Sequence, residues 1–293
     1  MSDRDALRGF LFEHADIRGE LVHLDASWQA VLERHDYPPA IQKLLGEMMA
    51  AAVLLVGTLK FDGRLTLQIK GQGPISLGVV ECSSDRALRG LIHWEGSVRD
   101  DGGLADLVGK GQMAITMEQG RSGERYQGVV DVSGDSLAEA LEHYLLTSEQ
   151  LETRLWLTAN EQTAAGMLLQ RLPSQTSFED EDAWPRMVQL SDTISNEELR
   201  SLKAPEILHR LFHEEDVRMF DAKPVFFRCA CSRERVQNTL RMLGLDEVRE
   251  VIAEQGSVSV DCEFCHQHYD FDAVDVEALF AADVLMDAPK QQH

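Results

Sequence analysis

The stretch MMAAAVLLVGTLKFDGRLTLQIKGQG (Met48–Gly73) carries two hydrophobic periods back to back. Up to Leu59 the apolar residues run almost unbroken and continue Leu44 and Leu45 upstream, so a helix is expected from Pro38-Pro39 to about Leu59. After the Asp62-Gly63 turn, Leu65, Leu67 and Ile69 alternate with Thr66, Gln68 and Lys70, the pattern of a half-buried strand. The apolar run Met48–Leu59 is 12 residues long, short of the roughly 20 a bilayer-spanning helix needs. It reads as a core helix leading into a sheet.

More strand-like pieces follow, separated by glycine-rich turns: PISLGVV, LRGLIHWEG, GQMAITME, RYQGVVDV, TRLWLTA and AGMLLQRLP. Helices are expected in DASWQAVLERHDY, with Asp25 or Ser27 as cap and Trp28, Val31 and Leu32 on one face, and in SLAEALEHYLL, with Leu137, Leu141 and Leu145 on one stripe. Strands without a regular βαβ rhythm argue for an α+β fold with a mainly antiparallel sheet, placed at residues 1–176.

From Thr176 to Asp221 the composition shifts to 12 acidic against five basic residues. Residues 177–224 read as a helical linker. Ser195 with Glu198 is a capping box, and Pro205 opens a helix carrying Ile207, Leu208, Leu211 and Phe212 on one face. Helices this short are marginal in water unless docked. The acidic run 179–182 reads as a solvated loop. Residues 225–293 form a small third region, also α+β. Ser232 caps a helix with Val236, Leu240 and Leu243, LDEVREVIAEQ is closed by Gly256, SVSV and HYDFD are strands, and VDVEALFAA is a last helix.

The chain has 293 residues and a net charge of −22, which repels phosphate backbones and makes nucleic acid a poor default partner. Its charged start, MSDRDALRGF, has no apolar segment of the secretory kind, so a cytoplasmic protein is expected, with no membrane partner. Stable disulfides are rare in that compartment. Yet four of the five cysteines sit in two tight pairs, Cys229-x-Cys231 and Cys262-x-x-Cys265. Four thiolates from two such pairs make a closed tetrahedral site for one Zn²⁺, with Arg228, Arg233 and Arg235 placed to balance its charge. His266 and His268 are alternative ligands, but four sulfurs already fill the tetrahedron. The spacing also lets each pair close on itself when oxidised, Cys229 with Cys231 and Cys262 with Cys265. Structural zinc contributes roughly 10–16 kcal/mol to small sites, against about 5–15 kcal/mol for a whole domain, so loss of the metal is expected to unfold the C-terminal domain.

The cysteine pairs, with RGELV (18–22), LLVGTLKFDGRLTLQIKGQGP (54–74), LVGKGQMAIT (107–116), GERYQGVV (123–130), TSEQLETRL (147–155), GMLLQRLP (166–173) and LHRLFHEEDV (208–217), resemble the redox-regulated heat-shock chaperones, zinc-binding bacterial holdases. The resemblance spans nearly the whole chain. It implies a substrate-binding core at 1–176, a metastable linker at 177–224 and a zinc redox switch at 225–293. It further implies an ATP-independent stress-response chaperone rather than an enzyme, inactive when reduced and zinc-bound. Oxidation would form the two adjacent-pair disulfides, release zinc, unfold the linker and favour a homodimer that holds unfolded client proteins. His266 stands where the family often has Gly or Asn, and AAG precedes Met167 where a second glycine is expected.

Two rival readings are a zinc-ribbon nucleic-acid binder, opposed by the charge, and a thiol–disulfide oxidoreductase, whose C-x-x-C normally starts a helix in a βαβ unit. Cys82 reads as a buried strand residue, and the His209/His213 pair as a solvated helix face. GQG and GKGQ read as turns, neither fitting a phosphate-binding P-loop.

Overall fold

A computed structural model describes residues 4–120, 123–132, 134–173, 180 and 182–286, the side chains only up to 281. The expected boundary between residues 176 and 177, and part of the acidic run 179–182, lie outside them. The chain divides into two compact units, the first ending at Arg228 and the second starting at Cys229.

The first unit opens with strands β1 (Ala6–Phe12) and β2 (Ile17–Leu24), then helices α1 (Ala26–Leu32) and α2 (Pro39–Thr58). Strands β3 (Gly63–Gly71), β4 (Ile75–Ser83) and β5 (Ala87–Trp94) follow, then α3 (Leu104–Val108), β6 (Gly111–Gln119), β7 (Arg125–Asp131), α4 (Leu137–Ser148), β8 (Thr153–Ala159) and β9 (Ala164–Arg171). Three short helices, α5 (Ala183–Ser191), α6 (Asn196–Ser201) and α7 (Ala204–Phe212), precede three short strands, β10 (Val217–Met219), β11 (Lys223–Pro224) and β12 (Phe226–Phe227). Two six-stranded sheets result. One runs β10-β1-β2-β9-β8, with β11 also on β1; the other runs β12-β5-β4-β3-β6-β7. All pairings are antiparallel except β12 on β5.

Helix α2 lies between the sheets, which is why it is apolar almost all round. Leu45, Met48, Met49 and Leu54 have no exposed surface. It packs with Leu7, Val22 and Leu168 of the first sheet and Leu65, Leu67 and Ile69 of the second. The first sheet is covered on its other face too, where Phe10, Phe12, Ile17, Leu21, Met167 and Leu169 meet α5–α7. Strands β1 and β2 therefore lack a clear apolar–polar alternation, which hides them from a period-2 reading. Gly19 is needed here, since a Cβ at that position would sit 2.0 Å from the Phe10 ring.

Helix α1 is capped differently from expectation. Asp25 stands at its N-cap position but its side chain makes no capping bond. The Asp5 carboxylate instead accepts from the amides of Asp25, Ala26 and Ser27. A residue twenty positions away satisfies the helix start, and local pattern does not reveal it. Ser195 and Glu198 form the expected box on α6. Cys82 is fully buried in β4, and burial pushes its thiol up to about 12, which suits an inert core residue.

The second unit holds α8 (Arg233–Leu243), α9 (Leu245–Gln255), the hairpin β13 (Val258–Asp261)–β14 (His268–Phe271), and α10 (Ala273–Met286). Ser232 caps α8, and Gly256 closes α9 at φ 82°. Its core is small: Leu240, Val248, Val258, Phe271, Val276 and Leu279. Leu243, expected on the apolar face of α8, is 54% exposed.

A carboxyl group is buried in the first sheet. Glu20 on β2, 8% exposed, sits against Gly9 and Gly57, whose missing side chains leave it room. Burial raises its carboxyl to about 7, against the attraction of Lys223 and Arg18. Its protonated form is thus favoured by the fold, so stability falls as pH rises from about 4.5 towards 7 and levels off above. Glu20→Gln should stabilise this unit by up to about 3 kcal/mol at pH 8 and not at pH 4; denaturant melts at the two pH values check this.

Candidate metal centre

Cys229 and Cys231 lie in the extended segment that leads into α8. Cys262 and Cys265 occupy the tip of the β13–β14 hairpin. The tip is built by backbone bonds: the Cys262 amide donates to Gln267 O at 3.0 Å, and the amides of Cys265 and His266 donate to Cys262 O at 3.2 and 2.7 Å. His266 takes φ 57°, in the left-handed region that Gly and Asn enter most easily. This explains physically why a glycine or asparagine suits the position, and histidine holds the turn at some strain.

The four sulfurs converge. All lie within 4.8 Å of one another, with Cys229 Sγ 3.6 Å from Cys262 Sγ and Cys231 Sγ 3.4 Å from Cys265 Sγ. Four sulfurs each about 2.3 Å from a central ion stand about 3.8 Å apart, so the spacing suits a tetrahedral ion. All four are free thiols. Among the described residues no other group of three or more His, Cys, Asp or Glu side chains comes this close. Four soft donors with no fifth position make a structural rather than a catalytic donor set.

Burial raises the Cys262 and Cys265 thiols above their ordinary value; neighbouring sulfurs add to this at Cys265, while backbone amides of Phe264 and Cys265 pull Cys262 back. Crowded thiols hold their protons until a cation supplies the compensating charge. Two of the flanking arginines have carboxylate partners of their own. Arg228 pairs with Asp85, and Arg233 binds Asp275 and Asp270 O and stacks over Phe271. Arg233 thus braces the hairpin instead.

Tyr269 is a contributor that the sequence reading missed. Its hydroxyl donates to Cys231 Sγ at 3.2 Å, a bond that raises the phenol to about 12. No local pattern could have found it, since Cys231 lies 38 residues upstream, outside the hairpin. His268 instead spans Asp261 and Asp270, and His209 of α7 and His213 just past its end stand edge to face at 5.9 Å. The C-x-x-C pair lies at a hairpin tip and not at a helix start, unlike the oxidoreductase arrangement.

The family model described as Hsp33 protein matches residues 5–272. The 33 kDa chaperonin of Nitrosococcus oceani is 48% identical over the full length of both chains. That of Ectopseudomonas mendocina is 49% identical over 98% of each. The crystal structure of the 33 kDa chaperonin (heat shock protein 33 homolog) of Thermotoga maritima superposes with a TM-score of 0.80 at 22% identity, covering 96% of this chain and 99% of that one.

The Tyr269–sulfur bond yields a prediction. Tyr269→Phe should release bound metal to a chelator a few-fold faster than wild type, with the same one-ion stoichiometry; equal release rates would remove Tyr269 from the centre.

Proposed function

Since this chain belongs to the Hsp33 family, we propose that it is a redox-regulated, ATP-independent holdase whose switch is a zinc ion held by Cys229, Cys231, Cys262 and Cys265. The observation that carries the reading is the convergence of four free thiols in a unit with six buried apolar side chains among the described residues. Bound zinc would tie the segment before α8 to the hairpin tip and neutralise the thiolates. This chain's own residues do the rest: backbone amides orient Cys262 and Cys265, Tyr269 orients Cys231, and Arg233 fixes the hairpin.

Oxidation by a peroxide balances as two thiols plus one H₂O₂ giving one disulfide and two waters. Two peroxides therefore convert Cys229 with Cys231 and Cys262 with Cys265, and no thiolate remains to hold metal. A unit this small then loses a contribution of roughly 10–16 kcal/mol, comparable to its whole stability.

The domain organisation proposed is a client-binding core at 1–176, a linker at 177–224 and the switch at 225–293. The linker helices have six to nine residues each, too short to persist undocked. They cover the outer face of the first sheet. Phe212 of α7 packs edge-on to Phe12 at 5.0 Å and lies 6.2 Å from Phe10. Their release would bare Phe10, Phe12, Ile17, Leu21 and Met167, a contiguous apolar patch of the kind that marks a protein-interaction surface. Unfolded clients, and a second copy of the chain in the oxidised form, are the partners this patch suits. Helix α2 is buried inside the first unit, which accords with the cytoplasmic placement proposed here.

Peroxide with mild heat should release one zinc per chain and make the protein suppress light scattering by an unfolding client; oxidised, metal-free protein that leaves scattering unchanged would sink this reading. Phe212→Asp puts a charge into the interface under α7, a change that costs several kcal/mol in such settings. It should suppress aggregation while still reduced and metal-loaded. A variant that suppresses nothing until oxidised would show that uncovering this face is not the switch.

A further inference from the structure

Two tripeptides of identical sequence, Lys70-Gly71-Gln72 and Lys110-Gly111-Gln112, overlap the GQG and GKGQ stretches read above as turns. The fold sets them side by side. Lys70 pairs with Gln112 and Gly71 with Gly111 across β3 and β6, and the Gln72 amide donates to Lys110 O at 3.0 Å. Opposed residues of antiparallel strands project to the same face. Leu65, Leu67 and Ile69 point towards α2, so Lys70 and Gln112 point to the opposite side of the sheet. The two lysines stand on one diagonal of a four-residue diamond, with backbones about 7–8 Å apart, and the two glutamines stand on the other.

Each glycine is required. A Cβ on Gly71 would lie 2.4 Å from Val108 O, and one on Gly111 2.5 Å from Lys70 O. The floor is bare backbone, and above it opens a cavity of about 530 Å³ lined by both tripeptides. Neither lysine has an ion-pair partner among the described residues, in a chain whose net charge is −22. The carboxylate at the rim is Asp131, held by Gln112 Nε2 at 3.3 Å. The overall negative charge is screened beyond about 8 Å at physiological salt, so the local pair of ammonium groups dominates here.

We propose that the paired Lys-Gly-Gln tripeptides form a binding site for linear oligophosphates, with Lys70 and Lys110 gripping phosphates at the two ends of a short chain. Gln72 and Gln112 donate to the bridging stretch, and Asp131 limits affinity. A single phosphate is shorter than the lysine diagonal; two or three linked phosphates span it. The recognised chemistry is the phosphate chain, whether free or as the tail of a nucleotide.

Calorimetric titration of reduced, metal-loaded full-length protein with tripolyphosphate, at low salt and without divalent cations, tests this. Saturable one-site binding is expected, weakened about tenfold or more in Lys70→Ala/Lys110→Ala, partly restored by Lys70→Arg/Lys110→Arg, and tightened in Asp131→Asn. Both lysines are exposed, so the variants should melt with wild type. A nucleoside triphosphate bound no more tightly than tripolyphosphate assigns the site to the bare chain, and tighter binding assigns it to nucleotides. Absence of saturable binding, undiminished binding by the double alanine variant, or orthophosphate binding as tight as tripolyphosphate would each overturn the proposal.

Discussion

The burial of the outer face of the first sheet under α5, α6 and α7 is the interaction on which the rest depends. Phe10, Phe12, Leu21 and Met167 on one side, with Met187, Leu199, Ile207 and Phe212 on the other, form a core of their own. It is separate from the larger one around α2. The inner face of the sheet is packed against α2 independently of these helices. The helices need the sheet absolutely. An array in which one partner is stable alone and the other is not can be opened without unfolding the whole.

The polar contacts that pin the cover are few and specific. His23 Nε2 donates to Leu199 O at 2.6 Å, Trp156 Nε1 donates to Asp192 at 3.1 Å, and Arg210 ties α7 back to Glu198 and Thr193 O. Downstream, β10 and β11 join β1, and β12 joins β5. Phe227, the last residue of β12, is two residues before Cys229. The cysteine cluster and the cover are thus consecutive along the chain, joined by short strands of two or three residues. Loss of order in the cysteine unit would free the end of that segment and leave short strands to hold the helices in place.

Much of this was legible in the sequence, for identifiable reasons. The strands from β3 to β8 face a core on one side or are bounded by glycine turns, so their period shows, while β9, buried on both faces, shows as an apolar run. Pro39 and the capping box of Ser195 mark helix starts with purely local chemistry. The four-cysteine cluster was legible because spacing alone puts each pair within reach of one ion. What escaped depends on distant parts of the chain. Strands β1 and β2 are covered on both faces, the cap of α1 comes from Asp5, Arg228 pairs with Asp85 and Arg233 with Asp275. Tyr269 reaches Cys231 only because the hairpin closes, and His266 reveals its strain only as a dihedral angle. The two Lys-Gly-Gln turns are unremarkable until strand register makes them neighbours.

Peptide-resolved hydrogen exchange, comparing reduced metal-loaded protein with peroxide-oxidised protein, measures the uncovering most directly. Amides of α5, α6 and α7 should lose protection on oxidation together with those of residues 229–286, while α2 and the strands around it stay protected. Unchanged protection in α5–α7 at the moment aggregation suppression appears would contradict the claim that baring the sheet's outer face is what makes the protein active.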